Sequence, residues 1–124
     1  MPQFAVLVKA SPESEAGVMP STAELEEMGA FNEQLVAAGA MRAGEGLHPS
    51  AKATLVSFAD GAPTVVDGPF AETKELVAGF WILELDSLDD VVSWMKRAPF
   101  RSGEVEIRPL YSEAELLEKI EAVA

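Results

Sequence analysis

The chain has 124 residues, enough for one domain with a real hydrophobic core. Apolar residues make up 48% and charged residues 24%, as in soluble globular proteins, and with no cysteine neither a disulfide framework nor thiolate chemistry is available. Nine Lys and Arg stand against 21 Asp and Glu, a net charge of −12; so acidic a surface repels phosphate backbones, so nucleic-acid binding is not expected and the charge reads as solubility.

The first apolar run, "FAVLV", is too short for a signal-peptide core, and no run approaches the length of a membrane span. A cytoplasmic protein without a membrane partner is the expectation. "QFAVLVKA" (Gln3 to Ala10) is short and β-branched, which predicts a strand. "SPESEAGVMP" reads as a loop. Ser21 and Glu24 then have capping-box spacing ahead of Leu25, Met28, Phe31 and Leu35, one apolar face of a helix that Gly39 would stop. "AMRAGEGL" (Ala40 to Leu47) predicts a strand loosened by two glycines. "ATLVSFA" and "APTVVDG", joined through Asp60-Gly61, predict a hairpin. "GFWILELD" (Gly79 to Asp86) is a strand apolar on both faces, followed by a helix capped by Ser87 with Leu88, Val91, Val92 and Met95 as its stripe. "EVEIRPL" (Glu104 to Leu110) alternates as a last strand, and Ser112 with Glu115 opens a C-terminal helix bearing Leu116, Leu117 and Ile120.

The order predicts an α+β domain spanning residues 1–124: a ferredoxin-like β-α-β-β-α-β fold with an inserted β-hairpin and a C-terminal helix. Such a sheet carries its helices on one face, so the other should be polar. Here Phe80 and Ile82, and Ala5 and Leu7, point away from the helix-facing residues of their strands. A covering surface is required, and the same face of a second copy supplies it, so a homodimer is expected. Glu104, Glu106 and Arg108 point to that face as well, where Glu84 can join them. They form either a structural ion-pair network or the lining of a small-molecule cavity.

"GEGLHP" (Gly44 to Pro49), "DGPFAETKE" (Asp67 to Glu75), "GFW" and "EIRP" together resemble the YCII-related proteins of the DGPF-domain type. The resemblance runs from the first strand to about Pro109. It implies a dimeric α/β barrel in a bacterial cytoplasmic protein and no defined reaction. Related YCII-like proteins carry a His–Asp pair proposed as catalytic, and genes of this type are often found beside extracytoplasmic-function sigma factors. The one histidine, His48, lies in "GLHPS", where the family does not require it.

Asp67, Gly68 and Pro69 are accounted for by turn chemistry, with Asp accepting backbone N–H bonds, Gly supplying positive φ and Pro fixing its own φ. Phe70 reads as an anchor in the core, at an interface or beside a ligand. Glu72 to Glu75 are either a solvated helical turn or a site in which Lys74 binds an anionic group and Asp67 or Glu72 moves a proton. Glu45, between two glycines, is a candidate acid or base or a plain bulge, and His48 a candidate catalytic group or a solvated loop residue. One histidine is thin support for a metal site, and no phosphate loop or Ser–His–Asp constellation is present, so neither metal nor cofactor is expected. Two functions remain. One binds, or also transforms by acid–base chemistry, a small organic ligand through Asp67, Glu45 and His48, with Lys74, Glu72, Arg108 and Phe70 in support. The other is a non-enzymatic interaction module, linked on the resemblance to a sigma factor.

Overall fold

The structure, a computed structural model, describes residues 1–58, 61–69 and 76–123. The strands are β1 (Gln3–Lys9), β2 (Met41–Gly46), β3 (Thr54–Ser57), β4 (Thr64–Asp67), β5 (Val77–Glu84) and β6 (Val105–Pro109). The helices are α1 (Pro12–Glu15), α2 (Thr22–Ala37), α3 (Leu88–Lys96) and α4 (Glu113–Val123), with a 3-10 turn at Ser50–Lys52. The main sheet runs β2-β5-β1-β6, each neighbouring pair antiparallel, while β3 and β4 form a separate ribbon. Two strands separated in sequence by a helix, β1 and β2, thus flank β5. That is the split β-α-β arrangement predicted.

The helix ends follow their local chemistry. The Ser21 hydroxyl accepts the Glu24 N–H at 3.1 Å, and the Ser87 hydroxyl accepts that of Asp90 at 3.2 Å. Ser112 and Glu115 satisfy each other's N–H reciprocally at the start of α4. Gly39 sits at φ +70°, where its N–H reaches the Val36 carbonyl and the Ala40 N–H reaches that of Leu35. This is a Schellman stop, open to a glycine at no steric cost. One helix escaped the sequence reading. In α1, Ser11 and Ser14 form a capping box with Pro12 just inside it, so one helical turn forms within a loop-like composition.

The core lies between one face of the sheet and the helices α2 and α3. Leu35, Leu83, Val6 and Val91 are fully buried, joined by Phe4, Phe31 and Trp81. Each fully buried aliphatic side chain stabilises the fold by about 1.5–3 kcal/mol. Phe31 meets Trp81 and Trp94 edge-on, each at 6.0 Å, so both tryptophans serve packing. Because α2 meets the sheet through its second half, Leu25 in its first turn stays exposed.

On the opposite face of the sheet the central side chains are less buried than those that face α2 and α3. Ala5, Leu7, Phe80 and Ile82 are half-buried at its centre. Its charges fall into two groups at the margins. Lys9 pairs with Glu106 at 2.8 Å, and Arg108 stands 3.6 Å from the other Glu106 oxygen. Glu84 does not join this group; it pairs with Arg42, within 4.0 Å of the N-terminal amine. The hydrogen bond and charge of Lys9, then the charge of Arg108, hold the Glu106 carboxyl below the ordinary carboxylate value. Apolar surface is exposed elsewhere too: Leu55, Val56, Val65 and Val66 on the ribbon, and Leu116, Leu117 and Ile120 on α4.

Candidate functional site

A cavity of about 590 Å³ opens beside the core, between the second half of the α1–α2 loop, the inner side of α2 and the paired ends of β2 and β5. Its floor is made by register. Gly44 lies opposite Trp81, and Gly46 opposite Gly79, so three glycines leave the floor low around a single indole. A Cβ at Gly44 would stand 2.9 Å from Trp81 Cδ1, so this glycine lets the indole lie against the strand. Val18, Met19 and Met28 face the cavity from above, and Phe100 closes one side, edge-on to Trp81 at 6.0 Å.

Three polar residues matter at this cavity. Glu45 and His48, both singled out from the sequence, line it together at the exit of β2. Glu45 pairs with Phe80 in the sheet, so alternation directs its side chain toward the open face while its backbone borders the cavity. His48 is exposed in the loop that follows. The third, Asn32, was not foreseen. Its Oδ1 accepts the Trp81 indole N–H at 2.9 Å. A polar residue amid the apolar spacing of Met28, Phe31 and Leu35 was the only available signal.

The other candidates lie elsewhere. Asp67 ends β4, exposed, and accepts the Thr54 hydroxyl at 3.3 Å across the ribbon. It does not line the cavity among the described residues. Arg108 lies on the open face beside Glu106. Phe70, Glu72 and Lys74 lie outside the described residues. Among the described residues, no group of three His, Cys, Asp or Glu side chains is placed to hold a metal ion, and no helix is long and apolar enough to cross a membrane.

The Asp67-Gly68-Pro69 turn is nevertheless tied to the cavity wall. The Ser50 N–H donates to Glu15 Oε1 at 3.0 Å, and its hydroxyl donates to the other oxygen of the same carboxylate. This clamp fastens the segment after His48 to α1. On its far side the Ser50 carbonyl meets Gly68, where an added Cβ would fall 1.8 Å away. The Gly68 N–H donates to the Ala53 carbonyl at 2.9 Å. Gly68 does not have positive φ; the expected reason for a glycine here is replaced by another, the close approach of two backbones.

These features meet a family-level match over residues 2–114. The chain belongs to the YCII-related domain family. An uncharacterised protein of Rhizobium meliloti (strain 1021) is 33% identical over 89 residues, covering 69% of this chain and 72% of that one. Among solved structures, this YCII-related chain is similar in fold to 5-chloro-2-hydroxyhydroquinone dehydrochlorinase (TftG) of Burkholderia phenoliruptrix AC1100 in complex with 2,5-dihydroxybenzoquinone. The TM-score is 0.52 at 18% identity, over 90% of this chain and 96% of that one. At that identity the likeness is one of fold.

Proposed function

We propose that this YCII-related protein binds a small organic molecule in the cavity between the α1–α2 loop and the β2–β5 floor. The observation that carries this reading is the cavity itself. Its volume of about 590 Å³ lies within the roughly 300–1,000 Å³ of small-molecule sites, and its walls are mostly apolar with few polar groups, as in such sites. The fold relative TftG, whose structure holds a small ring compound, supports the same class of ligand. Any acid–base chemistry on the bound molecule would fall to His48 at the rim, since the Glu45 side chain is directed to the open face. Asp67 would then act through the turn that braces the rim. The rival reading, an interaction module, turned on exposure of Glu72 to Glu75, and those residues lie outside the described ones.

The working form proposed here is a homodimer in which the open sheet faces meet, giving a dimeric α/β barrel. The chain alone exposes 8809 Å², whereas a folded monomer of this mass exposes about 6,400 Å². Such a surplus supports association, and its exposed apolar part includes the β3–β4 ribbon and α4 beside the half-buried sheet face. Half-buried Leu7, Phe80 and Ile82 would form the interface centre, with the Lys9–Glu106 and Arg42–Glu84 pairs at its margins.

The test is a screen of small neutral ring compounds by thermal shift on wild type and Gly46→Phe. Gly46 faces the cavity and has nothing within 4 Å of an added Cβ, so phenylalanine there fills the ligand's space. Compounds that raise the melting temperature of wild type and not of Gly46→Phe are expected. Compounds that stabilise both equally would place the site elsewhere.

A further inference from the structure

Resting on the cavity reading above, we infer that the cavity selects a neutral, largely apolar ligand bearing a carbonyl-type acceptor, and that the side-chain amide of Asn32 reads that acceptor. An indole N–H can only donate, so the Asn32 atom it meets at 2.9 Å must be the oxygen. That bond fixes the amide's rotation and leaves both Nδ2 hydrogens turned away from Trp81. Nδ2 makes no other hydrogen bond among the described residues, and no side-chain nitrogen or oxygen there is both buried and unpartnered. Nδ2 is therefore accessible, on a residue that lines the cavity. Trp81 is itself held by Phe31, Phe100 and the missing Cβ of Gly44, so the donor stands on a rigid mount.

Charge supplies the second half of the inference. The cavity residues include no Lys or Arg among the described ones, while Glu45 borders it and the chain carries −12. Among the described lining residues only His48, exposed at the rim, could offset the desolvation of a carboxylate or phosphate. An uncharged acceptor paired with a preset N–H is the combination these walls favour, against an apolar ring or chain on Trp81, Phe100, Met19 and Met28.

The experiment uses three probes of similar shape: acetophenone, ethylbenzene and benzoate. Each is titrated into ¹⁵N-labelled wild type, Asn32→Asp and Asn32→Leu. Asn32→Asp keeps an oxygen for the Trp81 N–H and removes only the donors; the indole N–H resonance reports whether that bond and the fold survive. In wild type, acetophenone should bind about three- to tenfold more tightly than ethylbenzene, the worth of one neutral hydrogen bond. It should also outbind benzoate and move the Asn32 amide cross-peaks. In both variants the preference over ethylbenzene should vanish while ethylbenzene still binds. Equal binding of acetophenone and ethylbenzene to wild type, or a preference that survives in the variants, overturns the role of Asn32 and leaves the cavity reading standing. Benzoate binding as tightly as acetophenone overturns the neutral class. Failure of all three probes to perturb the cavity residues overturns the cavity reading and this inference with it.

Discussion

Replacing Gly68 by alanine is the sharpest probe of how the Asp67-Gly68-Pro69 turn serves the rest of the molecule. The new methyl would be built 1.8 Å from the Ser50 carbonyl oxygen and 2.8 Å from its carbon. Real Cβ contacts essentially never fall below 3.0 Å, so one of two backbone segments must retreat by more than an ångström. Neither can do so freely. Gly68 is bonded to the Ala53 carbonyl, and Ser50 is held from its other side by both oxygens of Glu15. Overpacking against side chains costs about 1–3 kcal/mol, and a clash with pinned backbone belongs at or above the top of that range, about 3 kcal/mol. With a urea dependence of about 1.5 kcal/mol per molar for a small domain, the unfolding midpoint should fall by about 2 M. The comparison is with wild type at one protein concentration, because association stabilises by mass action. Gly46→Ala is the matched control, since its Cβ meets nothing within 4 Å, and it should stay within about 1 kcal/mol of wild type. A Gly68→Ala midpoint as close to wild type as that of the control would refute the close-approach account.

On the open sheet face, Phe80→Glu or Ile82→Lys puts a charge at the proposed interface centre and should convert the dimer to monomer in light scattering; a dimer that persists in both counts against face-to-face pairing. Glu15→Gln halves the charge-assisted clamp on Ser50 and should cost about 1–2 kcal/mol in urea unfolding; no measurable loss would mean that the clamp does not hold the rim. The folded-state pKa of Glu106 is depressed, so its contribution is present above the unfolded value and is lost as pH falls through the lower folded one. Lys9→Met should therefore raise the Glu106 midpoint in a side-chain titration toward the ordinary 4.5 and flatten that acid loss, and an unmoved midpoint would show that Lys9 is not the cause.

The fold was open to sequence reasoning where pattern and cap agreed. Ser21, Ser87 and Ser112 each precede an apolar stripe, and each caps a helix. The alternation in Val105 and Ile107 against Glu106 and Arg108 placed both faces of β6 correctly. The reading was weaker where the structure rests on contacts between distant segments. Gly68 looks like a turn glycine in its own neighbourhood, and its reason lies eighteen residues earlier, in Ser50. Arg42 carried no signal as the partner of Glu84, because a bulge in β2 sets their meeting.

The same distinction explains the site. Glu45 was found because it stands between two glycines and His48 because it is the one histidine, and both border the cavity. Asn32 drew none, since an asparagine within a helix predicts nothing by its composition. Its significance comes from Trp81, forty-nine residues later, whose N–H turns a freely rotating amide into an oriented donor. Trp81 in turn needs Gly44 in the neighbouring strand. A local motif thus marks where this chain is braced, whereas the group placed to discriminate among ligands arises only when α2, β2 and β5 are packed together. The consequence can be measured: Gly44→Ala, whose Cβ would press on Trp81 from the cavity floor, should shift the Trp81 indole resonance and weaken acetophenone toward ethylbenzene as Asn32→Asp does. If Gly44→Ala leaves that preference whole, Trp81 does not orient Asn32.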